Sequence, residues 1–126
     1  MKKIINTPKA PAPIGPYNQA VLIKDTLYIS GQIPIDPSTG KLVEGDIQKE
    51  TKQSMENLKA ILEEADMSFE HVIKTSIFIK DMNQFAQINE VYGTYFNADT
   101  APARETVEVA NLPKFVNVEI SMIAVR

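Results

Sequence analysis

Residues 47–65 read IQKETKQSMENLKAILEEA, and residues 72–80 read VIKTSIFIK. The first stretch repeats at helical period: Ile47, Thr51, Met55, Leu58, Ile61, Leu62 and Ala65 fall on one face, with Lys, Glu and Gln elsewhere. Asp46 stands where an N-cap carboxylate is wanted. The second stretch is β-branched and aromatic, which predicts a strand. A long amphipathic helix that leads into such a strand buries its apolar face on the sheet, and the fold class is therefore α+β, in layers.

Upstream, residues 7–18 (TPKAPAPIGPYN) hold four prolines and a glycine, too many for a helix or a central strand. They predict an ordered, extended arm with Ile14 and Tyr17 pinned against something. Ala20 to Ile23 and Thr26 to Ile33 read as a hairpin about Lys24-Asp25. In the second of these runs Thr26, Tyr28, Ser30 and Gln32 alternate cleanly with Leu27, Ile29, Gly31 and Ile33. Residues 34–45 carry turn chemistry.

Downstream, Asp81 is expected to cap a second helix, with Gln84 completing a capping box and Met82, Phe85, Ile88, Tyr92 and Phe96 on its buried side. Arg104 to Ala110 and Val116 to Val125 are the last two strands, joined by a turn at Leu112-Pro113-Lys114. A short extra strand fits Lys2–Ile5. The expected order is β, β, α, β, α, β, β, with ferredoxin-like topology as the plain alternative.

Composition narrows the chemistry. The 126 residues suit a single domain spanning 1–126, with 44% hydrophobic and 23% charged residues. A net charge of -3 without a basic stripe argues against nucleic acid as a partner. There are no cysteines and only one histidine, His71, so thiolate, disulfide, imidazole-rich metal and Ser/His relay chemistry are not expected. The five glycines are isolated from each other and form no phosphate loop. No signal-peptide pattern and no membrane-length apolar run is seen, so no membrane association and a cytoplasmic location are expected.

Polar residues concentrate on the last two strands. Arg104, Thr106 and Glu108 point one way and Glu105, Val107 and Val109 the other; Asn117, Glu119 and Ser121 oppose Val116, Val118, Ile120 and Met122. The apolar sides suit the core under the helices. If the two strands pair through the Leu112-Pro113 turn, Arg104 approaches Glu119. Pattern alone favours a solvated face, but Arg104 follows Pro102-Ala103 at a strand start, a fixed approach that suits a grip on a carboxylate or phosphate. Gly31 marks either a bulge or a close backbone approach to a ligand, and Ser30 beside it offers a hydroxyl. Tyr17 is a rigidly presented aromatic that also suits simple packing of the arm. Asn89 lies on the second helix, either partnered or exposed. His71 reads as a surface residue or loop anchor.

Together Ala12-Pro13-Ile14-Gly15-Pro16-Tyr17, Ser30-Gly31-Gln32-Ile33-Pro34, Asp81-Met82-Asn83-Gln84-Phe85, Pro102-Ala103-Arg104 and Val107-Glu108-Val109-Ala110-Asn111-Leu112-Pro113 resemble the RidA-type reactive imine deaminases, also called YjgF or L-PSP endoribonucleases. The resemblance runs from about residue 5 to residue 126. It implies a chorismate-mutase-like (RidA/YjgF) fold, a mixed six-stranded sheet with two helices on one face, and a homotrimer with clefts between neighbours. It implies that Arg104 binds the substrate carboxylate and that Glu119 positions or activates the hydrolytic water. Tyr17, Ser30, Gly31 and Asn89 match cleft-lining positions. Thr106 stands where many deaminating members have Cys or Ala, and Glu105 and Asn18 also depart from the usual residues. The implied reaction is hydrolytic deamination of 2-imino or enamine acids such as 2-iminobutanoate and 2-iminopropanoate, with no metal or organic cofactor. A regulatory trimer that binds 2-keto acids without useful turnover is the alternative. An endoribonuclease or translation inhibitor is a third, opposed by the acidic balance and the lack of a His pair.

Overall fold

The computed structural model describes residues 1–126. The elements are β1 (Lys2–Ile5), β2 (Ala20–Ile23), β3 (Thr26–Gln32), β4 (Ile35–Asp36), β5 (Lys41–Leu42), α1 (Ile47–Glu64), β6 (Val72–Ile79), α2 (Phe85–Gly93), β7 (Ala103–Glu108) and β8 (Val118–Val125). Six strands form one mixed sheet in the order β1-β2-β3-β8-β6-β7, and β4 and β5 make a separate ribbon. Only β6 and β7 run parallel. Both helices pack on one face, where Leu27, Ile29, Ile77, Ile79, Val118, Ile120 and Met122 meet Met55, Leu58, Ile61, Leu62 and Ile88. This is the layered α+β architecture expected from the sequence.

Helix α1 follows its pattern closely. The Asp46 carboxylate accepts the Gln48 and Lys49 N–H groups, which satisfies donors that the helix itself cannot. Its buried face is wider than the apolar stripe and includes Glu50, Ser54 and Asn57. Asn57 donates to the carbonyls of Ile33 and Ile35 and so anchors the loop after β3. Glu50 accepts from Asn117, and burial pushes its carboxyl pKa up.

Helix α2 begins differently from the expectation. The Asp81 carboxylate accepts from Asn83 N–H and caps a short 3-10 turn, Met82–Gln84; α2 starts at Phe85 without a side-chain cap, so no capping box forms. Met82 is left exposed. The last strand begins at Val118, because Lys114 and Phe115 adopt left-handed backbone angles in the preceding turn.

The proline-rich arm is held by Gln19, which is only 3% exposed. Its amide nitrogen donates to the carbonyls of Thr7, Ala10 and Pro11, and its oxygen accepts from Thr7 N–H. A chain rich in proline lacks N–H groups to form a ladder, and one buried side-chain amide supplies the missing cross-links. Tyr17 and Ile14, expected to pin the arm to the body, stay 46% and 59% exposed. The Tyr17 hydroxyl accepts instead from Ile14 N–H.

Two expectations about the sheet are corrected. Strands β7 and β8 do not pair, because β6 lies between them. The two faces of β7 are also reversed. Arg104 and Thr106 are in register with Thr75 and Ile77, whose side chains are buried under the helices, and Glu105 and Val107 are in register with Ser76 and Phe78 on the open face. As an edge strand beside the shorter α2, β7 has no need of an apolar inner side, and the polarity rule that reads β8 correctly misreads it.

Candidate functional site

The residues singled out in the sequence form two groups on opposite faces of the sheet. On the open face, Tyr17, Ser30, Gly31 and Glu119 line a cleft of about 340 Å³ with Ile14, Ile33 and Pro113. On the helix face, Arg104 and Asn89 are in contact, with Thr106 two residues along the same side of β7. Arg104 is in register with Thr75, which pairs with Met122, whereas Glu119 pairs with Phe78. The two candidates thus sit three residues along and two strands across, a backbone separation on the order of 14 Å before the opposite faces are considered. One subunit cannot bring both onto the same small molecule.

The open-face group is built on a bulge. Ile29 pairs with Met122 and Gln32 with Ile120, so β3 carries one extra residue there and the clean alternation stops at Ser30-Gly31. Gln32 consequently turns inward and is buried. The Ser30 hydroxyl, expected to be free, donates to the Asn18 carbonyl at 2.6 Å and keeps only its lone pairs for other partners. Gly31 is required by proximity: a Cβ there would overlap the Glu119 carboxylate and lie 2.7 Å from its Cδ. Gly31→Ala is therefore expected to swing the Glu119 carboxylate out of place at small cost in stability, since the obstruction is a flexible side chain. Comparing turnover with thermal unfolding checks this; unchanged turnover would show that the Glu119 position is immaterial.

Glu119 has no hydrogen-bond partner within the chain, and burial raises its carboxyl pKa. A raised pKa in the folded state means that folding favours the protonated acid. Its contribution to stability is therefore fullest below the ordinary carboxylate pKa of about 4.3 and is lost as pH rises through the raised value. Glu119→Gln should match the parent in stability at acid pH and exceed it increasingly on the way to neutral pH. Urea unfolding across that range measures the difference, and parallel curves would contradict the desolvation account.

On the helix face, Asn89 Oδ1 accepts from Arg104 Nη1 at 2.7 Å. The guanidinium carbon lies 4.9 Å from the Tyr92 ring centroid and 5.6 Å from that of Phe85. The only ion pair in the chain joins Lys74 and Glu105 elsewhere, so Arg104 has no carboxylate partner. Its remaining N–H donors can take a planar anion. Sequence spacing puts Phe85, Asn89 and Tyr92 on one face of α2 but does not mark the two rings as a platform for the guanidinium. Thr106 Oγ1 is buried without a partner. Glu105 is engaged on the open face with the Ser76 hydroxyl and Lys74, contacts that hold its carboxyl pKa low. His71 is a loop anchor, its Nδ1 accepting from Ser68 N–H. No cluster of His, Cys, Asp and Glu is placed to hold a metal ion, and no helix is long and apolar enough to cross a membrane.

Comparison with known proteins agrees with this architecture. The family model described as endoribonuclease L-PSP matches residues 7–126. A RutC family protein of Pyrococcus horikoshii is 55% identical over 124 residues, covering 98% of both chains. The 2-iminobutanoate/2-iminopropanoate deaminase of Mus musculus is 49% identical over 126 residues, covering all of this chain and 93% of its own length. The crystal structure of Escherichia coli TdcF with bound serine superimposes with a TM-score of 0.92 at 48% identity over 98% of each chain. Identity at this level across nearly the whole length, on the same two-helix, six-stranded frame, makes the chain a member of the endoribonuclease L-PSP family, the RidA/YjgF group.

Proposed function

We propose that the protein hydrolyses small 2-imino acids, 2-iminobutanoate and 2-iminopropanoate among them, to 2-keto acids and ammonia, in a homotrimer whose clefts lie between subunits. The observation that carries this reading is the Arg104 guanidinium, ordered on an aromatic platform and free of any carboxylate. Such a fork is a ready receptor for the carboxylate of a planar 2-imino acid. The mammalian relatives named 2-iminobutanoate/2-iminopropanoate deaminase and the TdcF structure with serine, itself a carboxylate ligand, support the same substrate class.

Assembly follows from the division of the site. The open face exposes Ile4, Ile23, Tyr28 and Val107 with no helix over them, a surface suited to burial against another copy. A second subunit that covers this face can bring its own Arg104 to the Glu119 cleft of the first. The carboxylate of the substrate is then held from one side while Glu119 addresses the imine carbon from the other.

The reaction is addition and elimination. Glu119, with its pKa raised, takes a proton from water as the oxygen attacks the C=N carbon, and a proton reaches the nitrogen. The carbinolamine collapses to the carbonyl as ammonia leaves, carrying its nitrogen and the transferred protons. No metal or organic cofactor enters. The ribonuclease reading finds no support in the site, because the one histidine, His71, belongs to neither the Glu119 cleft nor the Arg104 platform.

The test couples the protein to a pyridoxal phosphate-dependent threonine dehydratase supplied with threonine, with imine loss followed in its presence and absence. Accelerated loss is expected. No acceleration would leave a 2-keto acid binder in place of an enzyme.

A further inference from the structure

We infer that Tyr92 is a positioning residue for Arg104, holding the guanidinium plane through its ring and holding itself in place through its hydroxyl. The inference rests on the reading of Arg104 as the carboxylate anchor and extends it to the residue whose ring lies against the guanidinium.

An arginine side chain is long and flexible, and an anchor that must be ordered on each binding event loses affinity to rotamer entropy. Arg104 is ordered beforehand. Its backbone belongs to β7, while Phe85, Asn89 and Tyr92 come from α2, so the geometry depends on the helix and the strand keeping one relative position. Tyr92 fixes that position. Its hydroxyl is 3.1 Å from Thr75 Oγ1, to which it donates, and Thr75 is the residue of β6 in register with Arg104.

The contacts close a circuit: helix to Thr75 through the hydroxyl, Thr75 to Arg104 across the strand pair, and Arg104 back to the helix through the ring. Thr75 is fully buried and Tyr92 nearly so, so this bond also gives the buried Tyr92 donor an acceptor within the protein. Burial pushes the Tyr92 phenol pKa up, in the same direction as its role as a hydrogen-bond donor. Asn89 holds one guanidinium nitrogen, but a single hydrogen bond leaves rotation about it, and the Tyr92 ring, 4.9 Å from the guanidinium carbon, is the contact that restrains this rotation. Phe96, 4.8 Å from Tyr92, backs the ring on another side.

The test compares Tyr92→Leu, Tyr92→Phe and Arg104→Ala with the parent, using imine hydrolysis and direct binding of 2-oxobutanoate. Tyr92→Leu should raise KM and weaken 2-oxobutanoate binding by roughly 10-fold with kcat little changed, and Tyr92→Phe, which keeps the ring, should stay within about 3-fold. NMR of the parent adds a readout that needs no variant: the Arg104 side-chain protons should be displaced upfield by the ring current, and Tyr92→Phe should preserve the displacement.

A folded Tyr92→Leu protein with parental KM and binding would overturn the inference while Arg104 dependence keeps the anchor reading. If Arg104→Ala itself binds 2-oxobutanoate as the parent does, both fail together. Should Tyr92→Leu not fold, Arg104 protons at random-coil positions in the parent would overturn it, and shifted protons retained in Tyr92→Phe uphold it.

Discussion

Arg104→Ala should reduce kcat/KM for imine hydrolysis by roughly 100-fold or more, because a carboxylate loses about 3 kcal/mol of charge-assisted hydrogen bonding when its fork is removed. The loss should fall mainly on KM. The carboxylate is held in the ground state and the transition state alike, and removing uniform binding raises KM more than it lowers kcat. Part will still appear in kcat, since the anchor also sets where the imine carbon lies relative to water. The fold should survive. Arg104 is half-exposed, makes no ion pair, and hydrogen-bonds only to Asn89, itself exposed, so no buried polar group is orphaned. Arg104→Lys separates charge from shape: the ammonium keeps the charge but not the planar fork, and should fall between alanine and the parent. Steady-state hydrolysis with thermal unfolding alongside checks all three, and an alanine variant with parental kcat/KM would remove Arg104 from the site.

How far the sequence could be read depends on what kind of information each feature needs. Helix α1 is legible because its period and its Asp46 cap are local, and the structure follows them to within a residue. Strands β2, β6 and most of β3 are legible for the same reason. The pairing of β7 is not local. Adjacency in the chain suggests a hairpin with β8, but the long connection from α2 delivers β7 parallel to β6 on the far side, and nothing in Arg104–Ala110 announces it.

That one topological fact turns Arg104 and Thr106 to the helix face and divides the site. The bulge at Ser30-Gly31 is half legible: a glycine in a strand signals it, but only the contact with Glu119 gives its reason. Gln19 was invisible as the anchor of the arm, since its partners are backbone carbonyls, which every sequence contains. Tyr92 had a legible spacing with Phe85 and Asn89, yet its role appears only once Arg104 is placed over it.

Two inactive variants should restore each other when their subunits are mixed. Arg104 and Glu119 lie on opposite faces of one sheet, so a cleft that uses both must draw them from different copies. Take Arg104→Ala and Glu119→Gln, each nearly inactive as a pure assembly when substrate is held well below the KM of the alanine variant, and co-express them or refold them together. A cleft then works when its arginine comes from the glutamine variant and its glutamate from the alanine variant. With random mixing in the proposed homotrimer, that combination occurs in about one quarter of clefts, and activity should recover to about one quarter of the parent. The same proteins mixed without subunit exchange should stay at the baseline, which excludes a trivial sum of residual activities. If both residues served one cleft within a single subunit, every cleft in the mixture would carry one lesion and no recovery would follow. The experiment thus tests the division of the site directly, and the size of the recovery also distinguishes a shared cleft from partial rescue by altered stability, which would track the amount of folded protein instead of the mixing ratio.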